Sequence, residues 1–134
     1  MEQMETLGVL VGVRTRFEPQ FSNPLTGLFT FSYHISIANN NAFPVQLLRR
    51  QWVISDADGN IREVEGPGVV GEQPVIQPGQ SHEYTSCCDF ETLEGSMKGS
   101  YLMVRAGEIE QMNNSDSFLV QVPEFKMKVP FMLN

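Results

Sequence analysis

Three glycines between residues 66 and 71 form a motif that could bind a phosphate group. Gly66, Gly68 and Gly71 stand in the order G-x-G-x-x-G. In a dinucleotide-binding fold, this spacing lets the backbone approach a pyrophosphate at the N-terminus of a helix. The motif is followed here by Glu-Gln-Pro, which cannot open a long amphipathic helix. We interpret it as a shaped loop between strands. The alternative is a nest of backbone amides that binds an anion, which Arg62 would favour and Glu72 would oppose.

Four residues of types that bind metals lie close together further along the chain, namely His82, Cys87, Cys88 and Asp89. Structural zinc sites prefer two cysteines with a few residues between them, because this spacing lets both thiolates point at one ion. Adjacent cysteines do not meet this requirement, and the sequence has no second pair. We predict no metal site and no cofactor, and we interpret the two thiols as part of a turn.

Nucleophilic catalysis would need a serine or cysteine beside a histidine and an acid. The sequence has no G-x-S-x-G motif, and His34 and His82 are its two histidines. Both are predicted to be exposed, His34 on the polar face of its strand. Carboxylates are so numerous that no acid–base pair stands out. The chain is therefore predicted not to be an enzyme.

A basic and aromatic run begins at Arg49 and Arg50 and ends at Trp52. Such a run suits a nucleotide or an acidic peptide, because guanidinium groups pair with oxyanions and stack on aromatic rings. Consecutive side chains point to opposite faces of a strand, so the two arginines cannot share a patch without a bulge. We interpret both arginines as surface charges that flank a core tryptophan.

Alternating apolar and polar residues indicate the strands that must position these groups. The clearest run extends from Leu28 to Ala38, with apolar residues at the odd positions. Similar runs cover residues 9–17, 45–56, 81–86, 97–105 and 117–122. In the run over 45–56, Leu48, Arg50 and Trp52 are predicted to share one face.

Turn-forming residues separate these runs. Pro78-Gly79 fits a type II turn, and Gly59 allows a positive φ in the turn after Asp56. Asn113–Asp116 is predicted to end the penultimate strand region. Because no segment keeps a helical period, the pattern predicts an all-β sandwich, with a small barrel as the competing architecture. The length of 134 residues supports one domain over 1–134.

Charge and composition narrow the classes of function. The chain has 9 basic and 16 acidic residues and a formal net charge of −7, so phosphate backbones repel it and no nucleic-acid partner is predicted. The N-terminus lacks the basic start of a secretory signal, and no apolar run is long enough to span a membrane. Two cysteines without a pairing pattern indicate a reducing compartment, so we expect a cytoplasmic protein.

Several segments in the right order resemble the ApaG family. The most distinctive is residues 64–74, which include the glycine motif. Segments 31–37, 46–54, 84–86, 95–101 and 122–125 also fit the family pattern. Two residues depart from that pattern, because Gln51 stands where a histidine is common and Cys87 stands where a glycine is common.

The resemblance implies an immunoglobulin/fibronectin-III-like antiparallel β-sandwich from a bacterial source. It also implies a non-catalytic protein-interaction module linked to cobalt and magnesium homeostasis, with a protein partner. The alternative that it implies is a sensor that binds pyrophosphate or a nucleotide through Gly66, Gly68 and Gly71.

Overall fold

The computed structural model describes residues 1–106 and 117–130, and this part of the chain contains nine β-strands and two short 3-10 helices. The strands are β1 (Glu2–Thr6), β2 (Val9–Phe17), β3 (Phe29–Asn39), β4 (Val45–Asp56), β5 (Ile61–Pro67), β6 (Val75–Ile76), β7 (Ser81–Phe90), β8 (Glu94–Arg105) and β9 (Ser117–Lys128). The 3-10 helices are Pro19–Phe21 and Pro24–Thr26. The turn predicted at Asn113–Asp116 lies outside the described residues. Within the described ranges, no helix is long and apolar enough to cross a membrane.

The strands form two antiparallel sheets that pack face to face. One sheet has the order β1-β2-β3-β7, and the other has the order β5-β4-β8-β9, with β6 beside the start of β4. Strands β2, β3 and β7 follow the A-B-E order of an immunoglobulin sheet, and β4, β8 and β9 follow its C-F-G order. The predicted immunoglobulin/fibronectin-III-like sandwich is confirmed.

Aromatic rings from both sheets meet at the centre of the core. Trp52 is 3% exposed, and its ring centroid lies 5.8 Å from that of Tyr33 and 6.0 Å from that of Phe125. The Trp52 and Phe125 rings are perpendicular, which is a favourable edge-to-face geometry. The prediction that Trp52 fills the core between the sheets is confirmed.

A β-bulge in β4 changes which side chains face the core. Leu47 pairs with Met103, but Arg49 pairs with Leu102, so one extra residue is inserted between Leu47 and Arg49. Leu47 is fully buried, and Leu48 is only half-buried. The prediction that Leu48 faces the core with Trp52 was wrong, because the bulge shifts the alternation by one residue.

Other strand bounds differ from the predicted ones where polar residues obscure the pattern. Strand β7 continues to Phe90, so Cys87 and Cys88 lie within a strand and not in a turn. Strand β9 continues through Pro123, where a second bulge lets the strand accept a residue that has no amide hydrogen. The predicted type II turn is confirmed, because Gly79 has φ +76° and the Gln80 amide donates to the Gln77 carbonyl at 3.0 Å.

Candidate binding site at the open side of the sandwich

The two sides of the sandwich differ in how they are closed. On one side β9 lies against β1 and β2, and the Gln121 amide donates to the Thr6 hydroxyl at 3.2 Å. On the other side the edge strands β5 and β7 face each other across a cleft of about 370 Å³. We call this cleft the β5–β7 cleft.

Arg50 enters the β5–β7 cleft because it is two residues before the buried Trp52 and therefore lies on the same face of β4. The half-buried Arg50 pairs across β4 and β8 with Tyr101, a buried residue, and therefore faces inward. Its Nη1 donates to the carbonyls of Pro67 at 3.0 Å and Gly68 at 3.1 Å. Arg49 faces outward and pairs with Glu65 at 2.9 Å. The interpretation of both arginines as surface charges is correct for Arg49 and wrong for Arg50.

Arg62 joins the two edge strands of the cleft. It projects from β5, and its Nη2 donates to the Asp89 carbonyl on β7 at 2.7 Å and to Cys88 Sγ at 3.3 Å. Arg62 thus reaches β7. It does not fold over the glycine segment, where it would have favoured an anion site. Burial raises the pKa of the Cys88 thiol, and the Arg62 guanidinium partly opposes this rise.

The second half of the glycine motif forms a two-residue hairpin turn. The amide of Val69 donates to the Glu72 carbonyl at 2.8 Å, and the Glu72 amide donates back to the Val69 carbonyl at 3.0 Å. Val70 and Gly71 lie between them with φ of +47° and +78°. Positive φ at both central positions defines a type I′ turn. The interpretation of a shaped loop fits the end of β5 and this turn.

Each motif glycine has a structural role. A Cβ on Gly66 would lie 3.1 Å from Nη1 of Arg50, so this glycine forms the surface on which the guanidinium rests. A Cβ on Gly68 would fall on the carbonyl oxygen of Glu72, and Gly71 supplies the positive φ of the turn.

Two backbone amides of the glycine segment already have partners within the protein. The Gly68 amide donates to the Leu48 carbonyl at 2.8 Å, and the Val69 amide closes the hairpin. The loop turns carbonyls, those of Pro67 and Gly68, toward Arg50. Ligand binding through Gly66, Gly68 and Gly71 stays a prediction.

The three tyrosines of the chain meet beneath Arg50. The hydroxyls of Tyr84 and Tyr101 lie 2.5 Å apart, and the Ser86 side chain partly offsets the rise in the pKa of Tyr33. Burial raises the pKa of all three phenols, and the positive charge of Arg50 partly offsets that rise. Sequence reasoning did not find this cluster, because its members come from β3, β7 and β8.

The residues that suggested a metal or catalytic site are spread out along β7. His82 and Cys88 are six residues apart in one strand, which corresponds to about 20 Å. Cys87 faces outward and is exposed. Within residues 1–106 and 117–130, no three His, Cys, Asp or Glu side chains are grouped so that they could hold a metal ion.

The two histidines differ in their surroundings. His34 lies on the outer face as predicted, bonded to Thr85 and Glu83 at 2.9 Å each. His82 was predicted to be exposed, but its side chain is 22% exposed on the inner face, beside Tyr84 and 3.9 Å from the Glu72 carboxylate. Fold and cleft together define an immunoglobulin-like β-sandwich with one open, arginine-lined side.

Comparison with known proteins places this sandwich in a family. A family model described as the ApaG domain matches residues 19–105. A Protein ApaG from Anaeromyxobacter sp. (strain K) is 44% identical over 134 residues, 100% of both chains. A Protein ApaG from Bdellovibrio bacteriovorus is 48% identical over 118 residues, 88% of this chain and 87% of its own.

A solved structure agrees with this assignment. The crystal structure described as that of an ApaA protein from Bordetella pertussis superposes with a TM-score of 0.82 at 36% identity. The match covers 91% of this chain and 94% of the other chain. The chain belongs to the ApaG family.

The roles of the glycines predict unequal effects of substitution. Gly68→Ala should destabilise the fold by several kcal/mol, because the added Cβ meets backbone that cannot move aside. Gly71→Ala should cost about 1–2 kcal/mol, because its Cβ meets no atom within 4 Å and only the left-handed conformation is strained. Urea unfolding at neutral pH measures both changes, and equal losses would contradict these roles.

The buried tyrosines predict a loss of stability in alkali. The pKa values of Tyr84 and Tyr101 in the folded state lie above the value of 10.0 for an unperturbed tyrosine. Above pH 10 the unfolded state therefore loses these protons first, and the free energy of unfolding, which is unaffected by them below pH 10, declines as the pH rises. Each tyrosine that stays protonated in the folded state but not in the unfolded state steepens the decline in the free energy of unfolding by about 1.4 kcal/mol per pH unit. Tyr101→Phe should therefore flatten the decline in urea unfolding between about pH 10 and 11.5. Met103→Ala is the control, because it truncates the core without removing an ionisable group and should leave the slope unchanged. An unaltered slope in Tyr101→Phe would contradict the raised pKa of Tyr101.

Proposed function

We propose that this ApaG-family protein is a non-catalytic module that binds another protein along one edge of its second sheet. The edge consists of β5, the type I′ turn and β6, and we call it the β5–β6 edge. Three large apolar side chains along it are exposed and lie outside the β5–β7 cleft: Ile61 by 66%, Val70 by 64% and Val75 by 48%. Exposed apolar groups along an edge are typical of surfaces that a partner covers.

The outer backbone of β5 supports the same proposal. As the end strand of its sheet, β5 bonds to β4 on one side and leaves its other side without a strand neighbour among the described residues. An extended segment of a partner can add to such an edge through main-chain hydrogen bonds, and side-chain contacts then give specificity. This combination of an open edge and exposed apolar side chains carries the proposal.

Val70 breaks the residue preference of its turn. Type I′ turns prefer asparagine, aspartate or glycine at the first central position, because these residues tolerate a positive φ. A β-branched residue there is strained, and Val70 is mostly exposed, so it does not repay the strain by packing in the core. Strain at an exposed position is typical of a residue retained for binding.

The wider setting follows from the family resemblance and the composition. We place this binding activity in the cytoplasm, where the free thiols of Cys87 and Cys88 would stay reduced. The partner would connect the module to cobalt and magnesium homeostasis, as the resemblance to the ApaG family implies. A role as a pyrophosphate or nucleotide sensor is the alternative, and the Glu72 carboxylate beside the turn opposes it.

A photo-crosslinking residue placed in the edge tests the location of the interface. Introduced at Ile61 on β5 in the native host, it should join the module to one reproducible protein. The matched position is Leu119, which is 53% exposed on β9, the opposite edge of the same sheet. Equal yields of the same adduct from both positions, or no adduct from Ile61, would contradict the proposal.

Val70→Asn separates binding from stability. Relief of the strained turn should raise the free energy of unfolding by about 1 kcal/mol. Loss of the exposed apolar side chain should lower the yield of the Ile61 adduct at least several-fold. Urea unfolding and quantitative crosslinking measure the two effects. A more stable variant with an unchanged adduct would remove Val70 from the interface.

A further inference from the structure

The β5–β7 cleft contains two guanidinium groups that face no carboxylate. Among the described residues, no Asp or Glu oxygen lies within 4 Å of the nitrogens of Arg50 or Arg62. The formal net charge of the chain is −7, so acidic partners are plentiful elsewhere on the protein. Arg49, directly beside Arg50 in sequence, has such a partner in Glu65.

Arg50 is oriented but incompletely paired. Its Nη1 is held by the carbonyls of Pro67 and Gly68, and its guanidinium rests on Gly66. A guanidinium has five N–H donors in a rigid fork, and two carbonyls on one nitrogen leave the others available. A half-buried cation of this kind gains most from an oxyanion that binds with two oxygens.

The remaining walls of the cleft combine apolar side chains with a few polar groups. Trp52, Ile54, Val64 and Met97 form the apolar part, and Ser86, Cys88 and Asp89 also line the cleft. The Asp89 carboxylate accepts a hydrogen bond from the Thr30 hydroxyl at 2.8 Å. A volume of about 370 Å³ is enough for a small ring or a branched side chain together with an anionic group. Apolar walls disfavour a fully hydrated polyanion, and the net negative charge of the protein repels one.

We propose that the β5–β7 cleft binds a carboxylate attached to an aromatic or branched apolar group, with Arg50 pairing with the carboxylate oxygens. Arg62 closes the cleft toward β7 and adds a second positive charge. The carboxylate could belong to a free small acid or to the C-terminal residue of another chain. The site is inside the sandwich, so it is distinct from the β5–β6 edge and goes beyond the proposed function.

Titration of the full chain with phenylacetate tests the site. At constant ionic strength and up to about 10 mM ligand, we expect saturable NMR shifts at the Arg50 Nε–Hε group and at the Gly66 and Ser86 amides. Arg50→Gln should weaken binding at least tenfold, and Arg50→Lys should retain part of it. Arg49→Gln is the matched control and should bind like the wild type.

Two further ligands distinguish the sources of the carboxylate. A C-terminal residue would be supported if N-acetylphenylalanine binds more tightly than phenylacetate while N-acetylphenylalaninamide, which lacks the carboxylate, causes no shifts. Tighter binding of phenylacetate would support a free acid. Shifts that do not saturate, or that are equal in Arg50→Gln and the wild type, would overturn the proposal. Saturation by inorganic phosphate but by neither carboxylate would overturn the ligand class. Neither result depends on a protein partner.

Discussion

The burial of Trp52 determines the arrangement of the candidate site, because it turns Arg50, two residues earlier in β4, toward the same inner face. The one-residue slip of β4 at Leu48 allows the start of the strand to be buried together with that face. Without it, an inward Trp52 would require Leu47 to face outward, because side chains alternate strictly along a regular strand. The bulge lets Leu47 and Trp52 both face the core, although they are five positions apart. Arg50 lies on the same inner face as Trp52, where the edge strands leave the sandwich open.

The inward guanidinium of Arg50 also explains the glycine segment that follows. A guanidinium between the sheets needs acceptors and space, and β5 supplies both at its end. Gly66 has no side chain to displace Arg50, and the carbonyls of Pro67 and Gly68 accept from it. The same glycine spacing that cradles a pyrophosphate at a helix N-terminus in other folds here packs an arginine and turns a hairpin. The surrounding elements, and not the letters of the motif, decide what the glycines do.

The sequence predicts strands correctly where one face of the strand is buried and the other is exposed to solvent. The alternation around Tyr33 predicted β3, and the core position of Trp52 followed from its strand. It missed β1 and β5, because edge strands with mostly exposed residues lack a two-residue hydrophobic period. The bulge at Leu48 was also invisible, since one extra residue leaves no local signal. The tyrosine cluster and the β5–β7 cleft depend on strand order, which a single sequence does not give, so neither could be predicted.

The inward position of Arg50 is the claim on which the site and the proposed ligand depend, and proton–proton NOEs test it most directly. The account predicts NOEs from the Arg50 side chain to the α-protons of Gly66 and to the Tyr101 ring, with none from Arg49 to either. NOEs from Arg49 to those groups, with Arg50 showing contacts only to outward-facing residues, would contradict the inward position of Arg50 and the site built on it.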